Sequence, residues 1–158
     1  HFRQLPDGPW TALESEFYES EYRWSTESTP DGRYEIRVIA SDIDSNPADR
    51  ALSHEIITDP FIIDHTRPLV LVSELKADEL LILVSGVVTD NFSSISSIEF
   101  SVNDLKWRTV FPKDGLFDST REEFSFSFEK PDGEGPHTLI VRARDFVGNI
   151  GSASKSFK

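Results

Sequence analysis

The chain has 158 residues, enough for one domain or a pair of small ones, no cysteine, and a formal net charge of −12. Disulfide and thiolate chemistry are excluded, and so acidic a chain is not expected to hold nucleic acid, which needs a basic face. No apolar run reaches the roughly 18 residues of a membrane-spanning helix, while 12 Phe, 3 Trp and 3 Tyr are too many aromatics for a disordered acidic tail. With no methionine and His1 in first place, the chain is expected to be a processed or excised piece of something longer.

Period-two alternation dominates, and it predicts strands. A first strand is expected near Phe2, followed by a hairpin at Pro6-Asp-Gly-Pro-Trp10. The acids Glu14, Glu16, Glu19 and Glu21 crowd the next stretch, read as a solvated strand face and loop or as an acidic docking patch or cation site. Tyr22 and Trp24 share one face of a short predicted strand, opposed by Glu21 and Arg23. Pro30-Asp-Gly32 is turn chemistry, and Tyr34–Ala40 follows as a strand with Glu35 and Arg37 outward. A last strand of this half is expected over Ser53–Ile63. After Asp64-His-Thr-Arg-Pro68 come strands at Val70–Leu75 and Leu80–Asp90, the second rich enough in apolar residues to be buried on both faces. Then follow Ser97–Asn103, with Glu99 and Ser101 outward, a hairpin at Asn103–Trp107, and Trp107–Phe111. Glu123–Glu129 places Phe124, Phe126 and Phe128 on one face. His137–Asp145 and Ser152–Phe157 complete the set. Short strands punctuated by Pro-Asp-Gly and Lys-Asp-Gly turns read as a β-sandwich or barrel.

The chain repeats itself. Ala40 and Ala143, Asp42 and Asp145, and Asn46 and Asn149 are each 103 residues apart. Each copy carries, in the same order, a hairpin ending in tryptophan, an aromatic strand, Pro-Asp-Gly, and a strand ending in aspartate. The charge is uneven between copies: residues 1–65 hold 14 acids against 5 arginines, and the remainder holds 14 acids against 11 bases.

Pro30–Asp42 resembles the E–F corner and F strand of fibronectin type III and bacterial Ig-like modules. Ala143-Arg-Asp-Phe-Val-Gly-Asn149 resembles the F–G turn of the bacterial kind, and Val84–Asn91 its B strand and the turn after it. Asp64–Pro68 is similar to the short proline linker between tandem copies. The resemblance implies an all-β chain of two tandem sandwiches: a partial module over residues 1–65, with strands C to G but without A and B, and a complete module over residues 66–158. It further implies a tyrosine corner at Tyr34, lost or altered at His137 in the second copy, and an extracellular, periplasmic or cell-surface setting in bacteria.

Trp24 is expected in the core, and Asp42 and Asp145 are expected to bond the backbone of the F–G turns. Trp10 and Trp107 either cover the sheet or offer a sugar platform. The histidines give no catalytic constellation: Ser53-His54-Glu55 holds triad letters, but neighbours on a strand point to opposite faces. No glycine-rich phosphate loop or HExxH-type motif is present. The chain is therefore expected to be non-enzymatic and cofactor-free, a spacer or interaction module. Two alternatives stand beside this: a carbohydrate-binding module using Trp10 or Trp107 with nearby acids, and a calcium-rigidified adhesion module with Asp42, Asp44, Asp64 and Asp90 as ligands. The expected partners are an upstream domain or another chain supplying the missing strands, and a protein or glycan ligand. Neither nucleic acid nor membrane insertion is expected.

Overall fold

The computed structural model describes residues 1–103, 106–133 and 135–158. The tip of the expected hairpin at Asn103–Trp107, formed by Asp104 and Leu105, lies outside the described residues. The described chain is all-β, with antiparallel sheets and no helix. Among the described residues, no helix is long and apolar enough to cross a membrane. The chain divides into two compact units, His1–Asp64 and His65–Lys158.

The first unit is one sheet built on β2 (Gly32–Ser41). β1 (Phe2–Gln4) pairs with one side of it. β3 (Ser53–Ile57) and β4 (Phe61–Ile63) also pair with β2, through Arg37–Ser41 and Gly32–Tyr34 respectively. The single strand expected over residues 53–63 is thus broken at Thr58–Pro60, because Pro60 has no N–H to give to a ladder. Thr58 bridges the break: its N–H donates to the Ile36 carbonyl at 3.0 Å, and its Oγ1 accepts from the Ile36 N–H at 3.1 Å.

The expected strand at Tyr22–Trp24 does not form; from Ala12 to Asp31 the chain is irregular. β3 and β4 take one side of β2 and β1 takes Tyr34–Ile36 on the other, and Tyr22–Trp24 pairs with none of these strands. Its side chains pack all the same. The Trp24 ring lies 4.6 Å from that of Phe2, 6.3 Å from Tyr34 and 6.4 Å from Phe61.

Tyr34 is buried beneath these rings, and its hydroxyl donates to the Pro30 carbonyl at 2.8 Å. Burial, with a smaller contribution from the Asp31 carboxylate, holds its pKa above the ordinary tyrosine value. The stabilisation is therefore complete below about pH 10, the unfolded tyrosine pKa, and is lost as pH rises through the folded value. Tyr34→Phe is expected to cost about 1–2 kcal/mol at neutral pH by orphaning the Pro30 carbonyl. It should also flatten the alkaline loss of stability, as read from urea midpoints across pH 8–11.

The second unit has two sheets. In the first, β5 (Leu69–Ala77), β6 (Leu81–Thr89) and β9 (Arg121–Glu129) lie in that order. In the second the order is β11 (Ile150–Phe157), β10 (His137–Asp145), β7 (Ile95–Val102) and β8 (Arg108–Val110). Both contribute alternate side chains to one core. Val72, Ile82, Val84 and Phe124 come from the first sheet, and Ile98, Phe100, Leu139 and Val141 from the second. Phe100 stacks on Phe126 at 4.3 Å, where the two layers meet.

Two expectations change here. β6 is buried on one face only: Ile82, Val84 and Val88 point inward, while Leu81 and Leu83 are exposed. An antiparallel sheet covered on a single side needs no more than that. Ser101, expected outward, is buried on the outer side of β7.

Candidate interaction surface

In the first unit Tyr34, Ile36, Val38 and Ala40 alternate onto one face of β2. Phe2 stands opposite Ile36, and Ile56 opposite Val38. The Tyr34 end of this face is closed by the Phe2–Trp24–Phe61 rings. The other end is open: Val38 is 60% and Ile56 62% exposed. A groove runs there between the sheet and the preceding irregular segment, lined by Leu13, Phe17, Tyr22, Trp24, Ile36 and Val38, with Glu14 and Glu16 on its wall.

The repeat supplies the comparison. Counted at 103 residues, Ile36, Val38 and Ala40 correspond to Leu139, Val141 and Ala143 on β10. Those three are 0%, 0% and 1% exposed, beneath the β5–β6–β9 sheet. The same strand pattern is therefore sealed in one unit and open in the other.

The two tryptophans lie over arginines. Trp10 is half-buried, with the guanidiniums of Arg3 and Arg37 at 4.6 and 4.5 Å from its ring centre. Arg3 also pairs with Glu35 across the β1–β2 ladder at 2.9 Å. Trp107 is 39% exposed, and Arg142 lies 3.8 Å from its ring centre while pairing with Glu99 across the β7–β10 ladder at 2.8 Å. Each unit thus carries an outward Arg–Glu pair capped by an indole, with the charges on opposite strands. The stacking gives each indole a covering role; a sugar platform would rest on the exposed part of Trp107. Glu14, Glu16, Glu19 and Glu21 are all exposed and lie in the irregular segment, not on a strand.

The aspartates divide by role. Asp42 Oδ1 accepts from the Leu52 N–H at 2.6 Å and holds the β2–β3 turn. Asp44 is exposed and accepts from the Tyr18 hydroxyl at 2.9 Å. That bond and the carboxylate's charge hold the Tyr18 phenol above its ordinary pKa. Asp64 is buried at the end of the first unit. Asp145, also buried, takes N–H groups from Gly148 and Asn149 on Oδ1, at 2.6 and 2.8 Å, and the Asn149 amide on Oδ2 at 2.8 Å. Asp90 Oδ1 accepts from the Phe92 and Ser93 N–H groups at 2.9 and 3.0 Å, while its buried Oδ2 has no hydrogen-bond partner among the described residues. Asp90 and Asp145 offer carboxylate oxygens within 4.8 Å of each other. Two like charges so close repel unless a cation or proton stands between them.

One grouping has no signature in the sequence. Lys106, Arg108 and Lys130 line a groove of the second unit together with Phe100, Phe128, Glu129 and Asp132. Lys106 and Arg108 belong to one segment, leading into β8, and Lys130 follows β9; only the closing of the two layers brings Lys130 to the other two. No protein-family model matches the chain, and no curated protein matches it either.

Proposed function

We propose that the chain is a non-catalytic structural and interaction segment of a larger secreted bacterial protein, built from two Ig-like or fibronectin III-like modules. The repeat, the strand order of the second unit and the Tyr34–Pro30 bond support the module assignment. The open Val38–Ile56 face carries the interaction reading, since an apolar sheet face is normally covered by something. The Val38→Lys/Ile56→Lys chain tests it. At a free surface such substitutions change stability by only about 0.5 kcal/mol each, so the melting midpoint should move by a few degrees at most. A loss of the first unit's folded signal would mean that this face is core, and the reading would fall.

A second reading, a calcium-rigidified adhesion module, is favoured by the Asp90–Asp145 pair and the unpartnered Asp90 Oδ2. A hard cation would satisfy that oxygen and cancel the repulsion. Binding at a hundred times its Kd would add about 2.7 kcal/mol, so the second unit should melt several degrees higher in calcium than in chelator. Equal midpoints would remove this reading.

A further inference from the structure

We propose that the Ile36–Val38–Ile56 face docks a basic two-stranded β-hairpin from outside this chain, packed sheet on sheet. The inference rests on the interaction reading above and names its partner. The form of the occupant follows from the repeat. In the second unit the positions equivalent to Ile36 and Val38 are sealed by β5, β6 and β9. In the first unit Trp24 already closes the Tyr34 end of the face. What remains uncovered corresponds to the place of β5 and β6, two antiparallel strands whose inward residues, among them Val70, Val72, Ile82 and Val84, are apolar.

The charge of the occupant follows from the walls. Residues 1–65 carry 14 acids against 5 arginines, and Glu14 and Glu16 border the groove. An occupant with lysine or arginine on its turn and outward positions meets complementary charge. A second copy of this chain does not, because two molecules of charge −12 would oppose acid to acid across the contact. Covering Val38 and Ile56 takes two largely exposed apolar side chains out of water, which favours the contact.

The absence of cysteine makes the test clean. Val38→Cys introduces a single thiol on the face, and Glu55→Cys one on the opposite side of the sheet. The probe is a copy of Leu69–Thr89 carrying Asp78→Lys and Glu79→Lys, joined ahead of His1 by a flexible linker that gives millimolar effective concentration. Maleimide labelling is followed with and without the probe. The expected result is labelling of Val38→Cys at least about tenfold slower with the probe, and of Glu55→Cys unchanged. Ile56→Cys, directly opposite Val38, repeats the readout should Val38→Cys fold poorly. Unchanged labelling at Val38 and Ile56 would overturn the hairpin while leaving the face open. Protection that grows with chain concentration, with a dimer in sedimentation, would make a second copy the occupant and also overturn it. Slow labelling in the dilute, unextended chain would remove the interaction reading itself.

Discussion

Gly86→Ala should destabilise the second unit by about 3 kcal/mol or more, the upper range for overpacking. Gly86 lies at the centre of β6, facing Val72 on β5 and Phe124 on β9. A methyl group there would overlap the Leu71 carbonyl oxygen and come within 2.5 Å of Phe124 Cζ. The ring could shift only by displacing Phe126, whose ring centre is 6.0 Å away. The carbonyl could shift only by parting β5 from β6, next to the register break between Val72 and Glu74. Calorimetry should show the second unit's transition lowered by 10 °C or more, at about 4–8 °C per kcal/mol for a unit of this size. A change under 2 °C would mean that β5 does not approach β6 as closely as described.

Phe124→Ala should cost about 3–5 kcal/mol, the usual loss for a buried phenylalanine. Its side chain is fully buried in the core shared by the two sheets. Losing it removes apolar burial and leaves a cavity that the strands close only in part. Against a total of about 5–15 kcal/mol for a domain, that brings the second unit close to unfolding at 37 °C. Urea midpoints measured beside Phe111→Ala, at an exposed position, separate the core effect from the loss of an aromatic as such. Equal costs at the two positions would contradict the packing.

Strands of the second unit were legible because alternation and turn chemistry agree there. Phe124, Phe126 and Phe128 share a face with Pro-Asp-Gly beyond them, and no long-range information is needed to see it. Where local pattern and tertiary context part, the sequence misleads. Tyr22 and Trp24 alternate as a strand would, yet the strands that pair with β2 are β1, β3 and β4, and the segment's rings pack on the face instead. Leu81 and Leu83 read as buried, yet nothing covers them enough to remove their exposure. Pro60 breaks a strand whose hydrophobicity alone suggested continuity. The candidate sites were less legible still. Asp90 and Asp145 approach through β-strand pairing and turn geometry, and Lys130 meets Lys106 and Arg108 only once two layers close. The open face is an intermediate case: its residues read as apolar, but their exposure depends on which strands stand opposite.

One strand pattern, repeated at 103 residues, is open in the first unit and sealed in the second. Val38→Cys and Val141→Cys, at equivalent positions, test it most directly in the chain as it stands. Labelled under identical dilute conditions, Val38→Cys should react at close to the rate of a free thiol. Val141→Cys should react at least about a hundredfold more slowly, through rare opening of a buried strand. Comparable protection at the two positions would contradict the account.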